Sequence, residues 1–316
     1  MDIGLYVFSF NRGQFLENCL RSINAYCPCA AVYIIDDKSS DPYTHRVLSN
    51  LDSTYTVLDV PESEDHELKT GGLYGNMNYA MAHARSLGTQ IVLFIQDDMQ
   101  LVRPIGEEDL SRVTSYFSCN ENTIQCAQTF IRTLSIDSLK NKVDIDCSRS
   151  AYIVKEKFEG GKSNFAATGF FNVDRFHARF QKFEAGEGRN SEKAQALGLK
   201  KGVSIYPIMN WLPYPISFRG KNRQWLHKLV ETLGGAGYHP IEPMSPSEIT
   251  HLLRRDPWEL PIMEQFLTCP TVNNRYWSTG GGEYNIIARG GIPNTILNLL
   301  KLLNKPFKSR RKGTSN

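Results

Sequence analysis

The first hundred residues alternate between short apolar runs and helical patterns, and this alternation constrains the fold more than any other feature of the chain. The apolar runs lie at 3–9, 31–35, 54–60 and 91–95, and the helical patterns at 13–25, 43–51 and 77–87. Short apolar runs of this kind are typical of buried strands. Strands alternating with helices predict a parallel, doubly wound α/β sheet with helices on both faces.

The pattern becomes less regular after residue 101. We predict further helices at 109–118, 175–180 and 191–197, and strands at 123–130, 164–173 and 203–207. From about residue 220 onward proline, glycine and aromatic residues are frequent and no independent unit is evident. We therefore expect an α/β domain over 1–219 and a C-terminal extension over 220–316, with a basic tail at 301–316.

The composition predicts an ordinary soluble protein that does not bind nucleic acid. Of the 316 residues, 41% are hydrophobic and 22% are charged, and the net charge is only +3. A nucleic-acid-binding domain usually carries a stronger basic excess. No basic region precedes the first apolar residues and no apolar run is long enough to span a bilayer, so we expect neither a signal peptide nor a membrane span. The seven cysteines form no CxxC pair, which predicts reduced thiols in the cytoplasm.

Polar residues follow three of the predicted strands at the point where each strand ends. They are Ser9–Arg12, Asp36–Asp37 and Asp97–Asp98. The carboxyl ends of parallel strands meet at one edge of a sheet, where ligands of α/β proteins bind. Carboxylate oxygens suit Mg²⁺ or Mn²⁺, and these ions bridge phosphates. The sequence therefore predicts a nucleotide site with a divalent cation.

The order and spacing of these segments resemble the family 2 glycosyltransferases, which have the GT-A fold. The similarity spans Ile3 to Trp211, and its motifs are Tyr6–Arg12, Ile34–Asp41, Gly75–Ala80 and Phe94–Asp98. The resemblance implies transfer of a sugar, with inversion, from a nucleotide-diphosphate donor to an acceptor glycan. It also implies a role in polysaccharide or surface-antigen synthesis.

The resemblance assigns the donor site to the polar strand ends. Ser9, Asn11, Arg12 and Asp37 would hold the nucleobase, commonly uracil, which implies a UDP-sugar donor. Asp36 belongs to the same motif and would support it.

The acid pair would bind the rest of the donor. Asp97 would lie near the ribose, and Asp98 would ligate Mn²⁺ or Mg²⁺ on the diphosphate. Gln96 stands where longer forms of this motif have a first acid. Lys69 lies in the loop where some members place a basic residue near the phosphates.

A carboxylate is expected to take the proton from the acceptor hydroxyl. In the family this acid opens a helix that precedes a strand ending in aromatic and proline residues, here Tyr206-Pro207. Glu192 is our first choice by its offset from these residues, and Glu187 is the second. The family's acceptor segment corresponds to the stretch around Gly169, and Trp211 could present a flat face to a sugar ring.

The C-terminal region allows several interpretations. Residues 292–312 combine apolar positions with a basic end, which is typical of a helix lying on an anionic membrane surface. Many relatives act on lipid-linked acceptors, so peripheral membrane contact is one interpretation, and a helix docked on the core is the other. Residues 220–291 could close over the acceptor or build a homodimer.

Two other functions remain open from the sequence. A nucleotidyltransferase on a similar core would release pyrophosphate, but it usually has a glycine- and basic-rich loop after the first strand, and Asn11-Arg12-Gly13 is a poor version of one. A non-catalytic nucleotide-binding module is the other. A dinucleotide-dependent oxidoreductase is excluded, because no GxGxxG follows a strand.

Overall fold

The computed structural model describes residues 3–28, 30–61, 72–132, 143–154, 165–216 and 236–272. The strands are β1 (Ile3–Ser9), β2 (Ala31–Asp36), β3 (Tyr55–Val57), β4 (Ile91–Gln96), β5 (Met99–Leu101), β6 (Thr123–Ala127), β7 (Val143–Ile145), β8 (Ala151–Val154), β9 (Gly169–Asn172), β10 (Lys200–Ser204) and β11 (Met209–Trp211). The helices are α1 (Gly13–Tyr26), α2 (Pro42–Ser49), α3 (Leu73–Ser86), α4 (Glu107–Cys119), α5 (Val173–Arg175), α6 (Glu187–Ala196), α7 (Pro246–Arg254) and α8 (Met263–Phe266). A π-helical turn (Phe176–Phe180) continues α5.

Nine of the described strands form one sheet in the order β3-β2-β1-β4-β9-β6-β10-β8-β7. Strands β3, β2, β1 and β4 are mutually parallel. Strand β9 is antiparallel to both of its neighbours, and β8 is antiparallel to both of its own. Strands β6 and β10 are parallel to each other. Only β9 and β8 therefore run opposite to the rest, and the other seven of the nine strands point the same way. The predicted α/β fold with a mostly parallel sheet is confirmed.

Helices cover both faces of this sheet. Leu5 and Val7 of β1 point into one core and Tyr6 and Phe8 into the other, because successive side chains of a strand alternate between its faces. Helix α1 closes the first core with Leu16, Cys19, Leu20 and Ile23. Helix α3 closes the second with Met77, Ala80, Met81 and Ala84. Burying an aliphatic or aromatic side chain contributes about 1.5–3 kcal/mol, so these two faces hold α1 and α3 in place.

Several predicted boundaries were wrong, and α6 matters most. We predicted this helix from residue 191, whereas it begins at Glu187. Gly186 supplies a positive φ of 107° immediately before the helix. The Asn190 side chain then ties the first turn together by donating to the carbonyls of Glu184 and Gly186. The third strand, the strand ending at Asn172 and the strand ending at Ser204 are likewise shorter or shifted relative to 54–60, 164–173 and 203–207.

Residues 241–269 pack against the sheet domain. Ile241, Leu252 and Phe266 share a core with Phe15 and Leu212. The Gln100 side chain donates to the Ile241 carbonyl and accepts from the Ile241 amide. The domain boundary at 219–220 falls outside the described residues and stays a prediction.

The expectation that all cysteines are reduced was wrong for one pair. Cys119 at the end of α4 and Cys147 in the β7–β8 turn form a disulfide, with their Cα atoms 6.1 Å apart. The fold brings these Cα atoms within disulfide range although 28 residues separate them in sequence. Cys19, Cys126 and Cys269 are free and buried.

Within the described part of the chain, no helix has the length and apolar character needed to cross a membrane. The segment 292–312, for which membrane contact and docking on the core were the two interpretations, lies outside the described residues.

Gly169 opens β9 with a φ of 110°, and its backbone lies close to β6. A Cβ atom there would stand 2.5 Å from the Cys126 carbonyl oxygen and 2.9 Å from the Ala127 Cα. Gly186 has nearly the same φ, and a Cβ there would meet nothing within 4 Å. The comparison of these two glycines separates backbone strain from steric overlap.

We expect Gly169→Ala to lower the free energy of unfolding well beyond the effect of Gly186→Ala. Strain at a positive φ costs about 1–3 kcal/mol in either variant. Overlap with β6 should add about 1–3 kcal/mol in Gly169→Ala alone. Urea unfolding of both variants and the wild type measures these free energies. An equal decrease in the two variants would show that β6 moves away from the added methyl group with no loss of stability.

Candidate functional site

The carboxyl ends of β2, β1 and β4 lie side by side at one edge of the sheet. Ser9 pairs with Asp36, and Phe8 pairs with Gln96. Beyond the strands, the Asp37 amide donates to the Ser9 carbonyl and the Asp97 amide donates to the Phe8 carbonyl, each at 2.9 Å. The three polar segments predicted to meet are therefore brought together by the parallel register.

The two acids that follow β4 bind one arginine from the loop after β1. Arg12 Nη2 lies 2.5 Å from Asp97 Oδ1, and Arg12 Nη1 lies 2.6 Å from Asp98 Oδ2. The Phe10 amide donates to the other oxygen of Asp97 at 2.9 Å. Both acids are buried. Carboxylates are rarely buried without partners, and here the guanidinium holds the pair together.

Burial also changes the protonation of this cluster. Burial raises the pKa of Asp97 to about 7, against the opposing effect of the Arg12 guanidinium, and the charge on Asp98 raises it further. The two carboxylates raise the pKa of Arg12, more than offsetting the effect of its burial, so Arg12 is a permanent cation. The cluster therefore combines a fixed positive charge with two carboxylates in a low-dielectric setting.

Four buried polar atoms in this cluster have no hydrogen-bond partner among the described residues: Ser9 Oγ, Arg12 Nε, Asp97 Oδ1 and Asp98 Oδ1. Asp97 Oδ1 lies in the ion pair with Arg12 Nη2, so the other three atoms are the ones without a polar contact in the described ranges. Buried polar atoms in proteins are nearly always satisfied, so a group of unsatisfied atoms at the edge of a sheet points to a ligand. The group offers both a cationic donor and a carboxylate acceptor.

The residues present fit a divalent cation only in part. No three His, Cys, Asp or Glu side chains within the described ranges are placed to share a metal ion. Asp98 Oδ1 is nevertheless a buried carboxylate oxygen that no described residue binds. Mg²⁺ is commonly held by one or two carboxylates together with substrate phosphates. The donor set therefore fits a cation that a phosphate ligand helps to hold, rather than a self-contained metal site.

The side-chain oxygens of Asn11 and Asp36 already accept hydrogen bonds from the loop after β2, so these residues shape the site and have no free oxygen for a ligand. Asn11 Oδ1 accepts from the amides of Ser40 and Asp41 at 2.6 and 2.9 Å, and Asn11 adopts a φ of 52° to do so. The oxygens of Asp36 accept from the amide and the hydroxyl of Ser39. Asn11 joins the loop after β1 to the loop after β2, and Asp36 holds Ser39, whose hydroxyl accepts from the Asn11 amide at 2.7 Å.

Asp37 faces the start of α3. Its Oδ2 accepts from the Gly72 amide at 2.7 Å, and a Cβ at position 72 would lie 2.1 Å from Asp37 Oδ1. The sequence did not identify Gly72 as a partner of Asp37, because we predicted the helix from residue 77, whereas α3 begins at Leu73, directly after Gly72. Lys69, predicted to lie near the phosphates, is outside the described residues.

Trp211 lies next to the acid pair and Gly169 is packed in the sheet. Trp211 pairs with Met99 in the two-stranded sheet, and the following amide, of Leu212, donates to the Asp98 carbonyl at 2.8 Å. The space beside Gly169 is taken by the backbone of β6. The structure therefore gives Trp211 a place near the site and Gly169 a packing role.

The two candidate bases occupy different positions on α6. Glu187 is the first residue of the helix and is half-buried, whereas Glu192 lies in the middle of the helix and is exposed. The charge of Glu187 acts on two side chains around it. After burial, it raises the pKa of Tyr74 on α3, and it opposes the lowering of the Lys201 pKa by burial. Tyr74 follows Gly72, the partner of Asp37, by two residues. Glu187, and not Glu192, therefore has the helix-opening position that we expected of the base.

Comparisons with known proteins give structural matches alone. No protein-family model matches the chain, and no curated protein sequence matches it. Residues 1–349 of S. aureus TarS, in complex with UDP-GlcNAc, match at 13% identity and a TM-score of 0.48, over 75% of this chain and 65% of that one. The mannosyltransferase PcManGT from Pyrobaculum calidifontis, in complex with GDP-Man and Mn²⁺, matches at 13% identity and a TM-score of 0.42, over 73% and 61%.

The chain thus spans less than two thirds of the length of these two proteins. At such identities and TM-scores, the chemistry of this chain has to be inferred from its own residues.

Proposed function

We propose that this protein is a glycosyltransferase of the GT-A type that moves a sugar from a nucleotide-diphosphate donor, a UDP-sugar, to an acceptor glycan with inversion. One observation carries the proposal. A buried acid pair follows β4, beside the polar ends of β1 and β2, and one of its carboxylate oxygens has no partner among the described residues. Such an edge of an α/β sheet is where nucleotides bind.

In this proposal, the donor lies across the three strand ends. Asp37 and Ser9 face the nucleobase, and Arg12 and Asp98 face the diphosphate. Asp97 lies near the ribose and holds Arg12 in place, because its two oxygens are already bound by Arg12 and the Phe10 amide. Asn11 and Asp36 hold the loops that carry these side chains, because their own oxygens are already bonded within the loops. A Mn²⁺ or Mg²⁺ ion held by Asp98 and the diphosphate would supply charge neutralisation for the leaving group.

Glu187 is the general base of this reaction. Its carboxylate takes the proton of the acceptor hydroxyl as that oxygen attacks the anomeric carbon from the side opposite the diphosphate. The new glycosidic bond forms as the bond to the diphosphate oxygen breaks, and a nucleoside diphosphate leaves. Attack from the opposite side inverts the anomeric configuration.

Trp211 is proposed to support the acceptor, because it is partly exposed and lies beside the acid pair. Polysaccharide or surface-antigen synthesis and a lipid-linked acceptor complete the proposal and rest on the sequence resemblance. Membrane contact through 292–312 rests on the amphipathic, basic pattern of that segment, and a homodimer is one of the two roles open to 220–291. The cytoplasmic location was inferred from the cysteine pattern and loses that support to the Cys119–Cys147 disulfide.

The experiment is a calorimetric titration of the whole chain with UDP, GDP and dTDP, each with and without Mn²⁺, followed by product analysis with the matching nucleotide-sugars. We expect one nucleoside diphosphate to bind in a metal-dependent way and the same compound to be released on turnover. Release of pyrophosphate from a nucleoside triphosphate would indicate a nucleotidyltransferase. Binding without any turnover would indicate a non-catalytic module.

A further inference from the structure

Arg12 occupies the position that a cation would take between the two acids. Its terminal nitrogens bind one oxygen of each carboxylate, and this leaves Asp98 Oδ1 as the remaining unbound oxygen of the pair. The Arg12 side chain is itself only 16% exposed. A metal ion at Asp98 would therefore share one carboxylate group with the guanidinium.

The charges around this carboxylate decide when a metal can bind. When both acids are ionised, two carboxylates and one guanidinium leave the site with one net negative charge. A divalent cation alone would reverse that charge, next to an arginine and in a setting where water screens poorly. The diphosphate of a nucleotide-sugar brings two negative charges, so a metal and a diphosphate together return the site to its original net charge.

Resting on the proposed function, we infer that Arg12 makes metal binding at Asp98 depend on the diphosphate. Without nucleotide, the guanidinium holds Asp97 and Asp98 together and repels the metal. With nucleotide, metal and diphosphate bind as a pair. Arg12 is thus a positioning residue that couples the two ligands, and the coupling is reciprocal, because each ligand strengthens the other by the same factor.

The test measures Mn²⁺ binding by electron paramagnetic resonance, which detects free Mn²⁺ and needs no turnover. In the wild type, UDP should tighten Mn²⁺ binding at least about tenfold. Arg12→Gln should bind Mn²⁺ without nucleotide at least about tenfold more tightly than the wild type does, and its response to UDP should shrink. Unfolding of the variant would weaken Mn²⁺ binding, so tighter Mn²⁺ binding by Arg12→Gln cannot result from a loss of structure.

Two further variants control this comparison. Arg12→Lys keeps the positive charge and should behave like the wild type in the absence of nucleotide. Arg46→Gln removes the same charge from α2, where Arg46 stacks on Tyr43, 4.2 Å from the ring centroid, and should leave Mn²⁺ binding unchanged. Circular dichroism checks that each variant is folded.

Two results would overturn the inference. One is equal Mn²⁺ affinity in the wild type with and without UDP, which requires no variant. The other is unchanged or weaker nucleotide-free binding in folded Arg12→Gln. Failure of the proposed function is distinguishable, because it would appear as absent nucleotide binding or turnover, while the nucleotide-free comparison of Arg12→Gln with the wild type would still decide the role of Arg12.

Discussion

Replacing Asp98 by asparagine is expected to abolish the metal-dependent part of UDP binding. Of the four carboxylate oxygens in the acid pair, Asp98 Oδ1 is the one that no described residue binds. An amide has the same shape and can still accept from Arg12 through its oxygen, but it then presents an NH₂ group, without negative charge, where the free carboxylate oxygen of Asp98 stood. We expect the UDP affinity of Asp98→Asn in the presence of Mn²⁺ to fall at least about a hundredfold, to the metal-free value of the wild type.

The control for this variant is Asp174→Ala, which removes an exposed acid on α5 and should leave UDP binding unchanged. Calorimetry with and without Mn²⁺ measures both variants. Metal-dependent binding that survives in Asp98→Asn would move the cation away from this residue and leave Asp98 as a structural partner of Arg12.

Glu187→Gln is expected to lose sugar-transfer activity and to keep its affinity for the nucleotide of the donor. Removal of a general base typically costs about a hundredfold to ten-thousandfold in rate. Glutamine is isosteric with glutamate and cannot take a proton from the acceptor. The substitution lies outside the strand ends that are proposed to hold the donor, so UDP affinity should stay within about twofold of the wild-type value. Release of nucleoside diphosphate from the nucleotide-sugar in the presence of acceptor measures the rate.

Glu192→Gln is the matched comparison, because it makes the same chemical change five residues further along α6. Glu192 is exposed and lies in the middle of the helix, so the sugar-transfer rate of Glu192→Gln should stay near that of the wild type. A loss of transfer in Glu192→Gln with full activity in Glu187→Gln would reverse the assignment of the base.

The parallel half of the sheet could be predicted because its signals are local. Apolar runs ending in polar residues marked β1, β2 and β4, and periodic patterns marked α1 and α3. Right-handed crossovers then leave little freedom for how consecutive strand-helix units pack. The position of Asp97 and Asp98 directly after β4 could be predicted for the same reason, since the end of a buried strand is visible in the sequence.

The antiparallel strands and the exact start of α6 could not be predicted. Strand β9 lies between β4 and β6 and runs opposite to both, which is decided by pairing with residues far away in the chain. The start of α6 depends on Gly186 at positive φ and on a side-chain bond from Asn190, neither of which changes the apolar pattern. This difference moved our choice of base from Glu192 to Glu187.

The sequence by itself determined the α/β class and the acidic strand ends, because strand and helix periodicity and strand termination are properties of neighbouring residues. Only the tertiary structure decided which of those polar groups are already bonded to each other. Arg12 binds two acids more than eighty residues away in the chain. The side-chain oxygens of Asn11 and Asp36 accept hydrogen bonds within the loops. Asp98 has one oxygen without a partner among the described residues. Electrostatic pairing depends on distance in space, and the sheet register sets that distance.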